Sequence, residues 1–276
     1  MFTFPRISRV PSKAAVLAFL LFHNGSDSRA WPQYPTVGYT GALPMAVSAH
    51  EMTSEFQLGK PAQREDLLRR LGVDPIIAHD ASTAVKETAI QVDKLDRAAA
   101  NLLFVPCGGS GVPTAHLFLL RPTEQHGWRV TDDAPLDCWW SNATYQILSI
   151  PRNSSEAVLA HHVNDGHGSG FVQDDMLLFG VHGEHLAILL KTQEYKREDI
   201  MGTDETVEQT STLQPFPDGS LEETRATTMH EMISKVGGDP SQTIERVSLT
   251  TIERRRWRWS EPSQTFVPDR FTTVIP

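Results

Sequence analysis

The stretch MLLFGVHGEHLAILLKTQEYK, residues 176–196, decides the fold. Two β-prone runs, 176–182 and 185–190, flank His182-Gly183-Glu184-His185. A glycine at the first central position suits a type II′ turn, whose twist matches that of the flanking strands. The spacing therefore predicts a hairpin with His182 and His185 facing each other across the strand ends.

Runs of the same kind extend in both directions. Toward the N-terminus lie TAIQV (88–92), NLLFV (101–105), AHLFLL (115–120), WRV (128–130), ATYQILSI (143–150) and AVLAHHV (157–163). Toward the C-terminus lie ETVEQTSTL (205–213), LEETRATT (221–228) and TIERVSLTTIERRRWRWS (243–260). Pro, Gly, Asn and Asp separate them, and helical periodicity is almost absent after residue 100. Short runs so punctuated predict a mainly β, antiparallel domain, either a β-sandwich or a twisted open sheet.

Phe216-Pro217-Asp218-Gly219-Ser220 predicts a second hairpin. Within 252–259, period-two alternation puts Glu253, Arg255, Trp257 and Trp259 on one face and Arg254, Arg256 and Arg258 on the other. The arginine face is expected in solvent and the tryptophans in the core. Segment 205–228 has few large apolar residues (Val207, Leu213, Phe216, Leu221), which predicts a poorly buried excursion.

Upstream of the β region the pattern changes. Residues 1–30 combine basic Arg6, Arg9 and Lys13, an apolar run at 14–22, and Ser28-Arg29-Ala30. This is the layout of a signal peptide, with cleavage expected before Trp31. The run of nine apolar residues is too short to span a bilayer, and no later stretch approaches the needed length. Residues 31–85 read as an irregular segment with one short N-terminal helix at 62–71. There Pro61 starts the helix, Leu67, Leu68 and Leu71 form its apolar face, and Gly72 stops it. Residues 86–276 make up the β domain.

The chain has 276 residues and a net charge of -9. Removing residues 1–30 takes away four basic side chains and one acid, leaving -12. That excess argues against nucleic acid as a partner, which needs a basic face. The two cysteines, Cys107 and Cys138, can close one disulfide in an oxidising compartment or remain buried thiols.

The densest polar stretch is His161-His162-Val163-Asn164-Asp165-Gly166-His167-Gly168-Ser169-Gly170, followed by Asp174 and Asp175. Neutral imidazole and ionised carboxylate are common ligands of a divalent metal, so His162, Asp165 and His167 are candidate ligands if the loop folds back. Turn chemistry accounts for the Asn, Asp and Gly without a metal. His182, Glu184 and His185 form a lesser candidate at the hairpin tip.

Nucleophile motifs fail on inspection. Ser110 lacks the second glycine of a nucleophile elbow, because Val112 stands there. Trp139 and Trp140 are adjacent and cannot both face one core, which suggests a binding surface for a glycan or a protein. The expectation is an exported, non-catalytic binding or structural β domain. The alternative is an exported metal-dependent hydrolase centred on His161–Asp175.

Overall fold

Every residue of β3 (Ala100–Val105) is buried, because both faces of its sheet are covered. The computed structural model describes residues 43–44, 49–84, 91–95, 99–107, 114–124, 127–138, 143–150, 155–234 and 243–274. Within these the protein is mainly β, with antiparallel pairing throughout and three helices. The expected signal peptide at 1–30 and the Trp139-Trp140 pair lie outside the described residues.

The first sheet has five strands in the order β1 (Leu43–Pro44), β5 (Gly127–Asp137), β4 (Thr114–Pro122), β3, β2 (Gln91–Leu95). Alternation splits its side chains between two clusters. Leu103, Val105, Phe118, Leu120 and Val130 pack with the helices. Leu102, Phe104, Leu117, Leu119 and Leu136 pack with Val158, Ala160, Leu177 and Phe179 of the second sheet.

The helices are α1 (Ala49–Leu58), α2 (Pro61–Arg70) and α3 (Pro75–Ala84), where the sequence suggested one. α2 falls where expected, with Gly72 at φ 95° just past its end. α1 buries Met52 and Phe56, one turn apart. α3 opens with Asp74, whose Oδ1 accepts from the Ile76 N–H at 2.8 Å, followed by Pro75. Buried Arg64 of α2 joins the three, donating to the carbonyls of Gly59 (2.8 Å) and Ser82 (3.2 Å).

The second sheet has nine strands. In spatial order they are β13 (Thr265–Pro268), β12 (Thr243–Ser260), β11 (Leu221–Ser234), β10 (Glu205–Pro215), β9 (His185–Asp199), β8 (Phe171–His182), β7 (Ser155–Gly168) and β6 (Thr144–Ile150), with β14 (Thr272–Val274) also on β12. A third cluster joins Leu159, Met176, Leu178 and Leu190 to Leu221, Trp257 and Phe266. Strands far apart in the sheet order therefore share a core.

Both predicted hairpins form. Gly183 sits at φ 60° with His182 opposite His185, and Gly219 sits at φ 82° in the Phe216–Ser220 turn. Trp257 is buried and Trp259 half-buried, while Arg254 and Arg258 face solvent. The 205–228 segment is not an excursion: Val207 and Leu221 are buried, and β10 pairs with neighbours on both sides. Cys107 and Cys138 form a disulfide, with Cα atoms 6.5 Å apart.

Candidate functional site

The His161–Asp175 stretch is not a loop. β7 and β8 run through it, and the turn is Ser169-Gly170, with Gly170 at φ 76°. Two register shifts on β7, between Ala160 and Val163 and between Asn164 and Gly166, absorb the extra residues. Bulges of this kind re-aim side chains without breaking the ladder. His162, in the first, holds φ at 55°.

These shifts send the three candidate ligands to different partners. The Glu194 carboxylate accepts from the His162 backbone N–H at 2.6 Å and lies 2.7 Å from His161 Nδ1. Burial alone would raise the Glu194 carboxyl, but those hydrogen bonds outweigh it and hold the carboxyl below its usual range. His161 Nε2 lies 3.0 Å from the Gln146 amide, so the imidazole is held at both nitrogens. His162 Nδ1 lies 3.6 Å from the same carboxylate.

Asp165 turns instead to Lys191, at 2.6 Å, and to Gln173 Nε2, at 3.0 Å. Lys191 also meets buried Asp175, at 2.6 Å. Burial pushes the Asp175 carboxyl up to about 6, against the pull of Lys191. His167 is exposed. Among the described residues, no group of three or more His, Cys, Asp or Glu is placed to hold a metal ion.

The hairpin tip is docked by charge. Glu184 pairs with Arg129 at 2.5 Å, the Gly183 carbonyl accepts from Arg121, and Asp132 accepts from the Leu186 N–H at 2.7 Å. His185 stands 3.7 Å from Asp132. Beside it, Asp133 is buried against His116, whose Nδ1 lies 3.1 Å from both carboxylate oxygens. Burial raises the Asp133 carboxyl despite that contact.

Among the described residues the most buried charge lies elsewhere. Glu223 on β11 is 0% exposed. Its Oε2 accepts from Arg255 Nε (2.7 Å), Trp257 Nε1 (2.9 Å) and Thr192 Oγ1 (3.0 Å), and its Oε1 from Arg225 (3.2 Å). Phe271 stacks with both guanidinium groups, at 4.3 and 4.2 Å. Four donors on three strands converge on one carboxylate, so the network is a lock between strands β9, β11 and β12.

Farther along, β11 and β12 leave their cover. Beyond Met229 and before Thr250, the pair has β10 on one side. Among the described residues, the other edge of β12 is unpaired from Thr243 to Thr251. Here the aliphatic side chains are outside: Ile244 is 51% exposed, Val247 57%, Leu249 44%, Met232 41% and Ile233 37%.

Cross-strand partners share a face. Ile233 with Ile244, Glu231 with Arg246, and Met229 with Leu249 line one face, with a register shift beside Ser248. His230 with Val247 and Met232 with Glu245 line the other. His230 lies between two carboxylates, 3.2 Å from Glu208 and 2.9 Å from Glu245.

The sequence reading missed the Glu223 lock and this arm. Alternating charges in LEETRATT look like a solvated strand face, and only the register shows that they are covered. Comparison with known proteins finds no matching family, no matching curated protein and no matching solved structure.

Proposed function

We propose that this chain is an exported, non-catalytic binding domain, and that it engages its partner through the distal half of β11 and β12. The observation that carries the reading is the row of exposed aliphatic side chains beside an unpaired strand edge. Exposed apolar patches and free edges are what soluble monomers avoid unless something covers them. Clustering of buried side chains from the two sheets supports a sandwich-like body from which this arm extends.

Export rests on the layout of residues 1–30, and the Cys107–Cys138 disulfide supports it, since such bonds persist in oxidising compartments. A fusion of residues 1–30 to a reporter active only after export should be active, and a fusion lacking 14–22 should not. The competing metal-hydrolase reading predicts a resident ion at His162, Asp165 and His167. Metal analysis of the purified chain, with the thermal midpoint taken before and after chelation, tests the binding reading directly. Substoichiometric metal and an unchanged midpoint are expected. A stoichiometric ion with a large fall in midpoint would overturn the reading, by mass-action linkage.

A further inference from the structure

We infer that the free edge of β12, from Thr243 to Thr251, is the docking site for an extended polypeptide segment of a partner, one that alternates basic and apolar residues and adds as a strand. The inference rests on the binding reading above and names the chemistry of the partner. The backbone argument comes first. β12 pairs with β11 through this stretch, so among the described residues its second edge is the open one. β14 takes that edge at Ile252–Arg254 and β13 at Trp257–Ser260, which among the described residues leaves Thr243–Thr251 without a strand beside it. A row of unmet N–H and C=O groups is a template for strand addition, and main-chain hydrogen bonds supply its affinity.

The side chains set the sequence that fits. On one face the edge presents Ile244, Arg246 and Leu249, backed by Ile233 and Met229. An incoming strand meets this face with apolar residues. On the other face it presents Glu245 and Val247, and Glu208 stands close behind on the far side of His230. A basic residue there lies opposite Glu245. Successive residues of a strand alternate faces, so the fit is a period-two alternation of basic and apolar.

Charge around the arm agrees. Asp204, Glu205, Glu208, Glu231 and Glu245 outnumber the bases beside them, Arg246 and Arg197, the latter across the ladder from Glu208. The charges on the edge make pairing with a second copy less favourable, as such features do on natural edges. Pairing two copies about a two-fold axis also places no acid opposite a base, because Glu245 and Arg246 lie on opposite faces.

The test uses the full chain and two labelled eight-residue peptides, one alternating Lys and Val and one alternating Glu and Val. Affinity is read by fluorescence anisotropy, and the bound region by amide hydrogen exchange. The Lys/Val peptide should bind at least about tenfold more tightly than the Glu/Val peptide. Protection should appear at Thr243–Thr251. Binding should be lost in an Ile244→Lys/Val247→Lys variant, and Glu245→Gln should narrow the gap between the peptides. Unchanged binding by the double variant would overturn the inference, as would equal affinity for the two peptides. So would concentration-dependent self-association that the same double variant abolishes, which would assign the edge to a second copy. Protection at another surface would also overturn it while leaving the binding reading intact. A stoichiometric metal would overturn that reading whatever the peptides do.

Discussion

The two halves of the β11–β12 pair share one ladder and opposite burial. In the proximal half, Glu223, Arg225 and Trp257 are buried. In the distal half, Ile233, Ile244, Val247 and Leu249 face solvent. Side-chain polarity alone would assign them the other way round. What differs is the neighbours. Proximally, β9 supplies Thr192, the segment before β14 supplies Phe271, and β13 closes the edge. Distally, among the described residues, only β10 flanks the pair. Burial of charge is tolerated where every lone pair and every N–H has a partner. Exposure of aliphatics has no such local compensation, which is why the distal half reads as a surface made to be covered.

Several substitutions would sharpen or break this contrast. Glu223→Gln should have the largest effect, about 3–5 kcal/mol of lost stability, because it removes the buried carboxylate that both Arg225 and Arg255 contact and leaves Arg225 only Glu253 across the ladder. Urea unfolding measures it, and a loss below about 1 kcal/mol would mean the network is not closed to water. Phe271→Ala should cost about 1–2 kcal/mol, from two cation–π contacts at a partly covered site.

A pH series probes a third polar cluster, on β8 and β9. Burial raises the Asp175 carboxyl from 3.8 to about 6, so it holds its proton more tightly folded than unfolded. Its contribution is fully present below about pH 4 and is lost as the pH rises through about 6. Asp175→Asn should flatten the stability profile across that window. Profiles that stay parallel would assign the slope to other groups. The smallest effect belongs to the arm: Ile244→Lys/Val247→Lys should change stability by no more than about 0.5 kcal/mol, as exposed positions do.

Much of the body was legible from residue spacing. Gly183 and Gly219 marked their hairpins because few other residues take a positive φ there without strain. The alternation in 252–259 placed Trp257 inside and Arg254 and Arg258 outside. α1 and α3 were not read, although each left a signal: Met52 and Phe56 one turn apart, and Asp74-Pro75 as a helix start. Nearby prolines and the β-branched Ile76 and Ile77 obscured them. The site residues were harder. His162, Asp165 and His167 are close in sequence, but two bulges rotate them toward Glu194, Lys191 and solvent, and bulges leave little trace in composition. The arm's exposure depends on which strands are missing beside it, and no local pattern carries that information.

Native-state amide exchange along β11 and β12 tests the contrast most directly. In the free chain, amides around Glu223, Arg225 and Trp257 should exchange only through global unfolding, and those of Ile244–Leu249 through local opening of much lower free energy. Uniform protection along both strands would contradict the account, because the distal half would then be covered already and not left open for a partner.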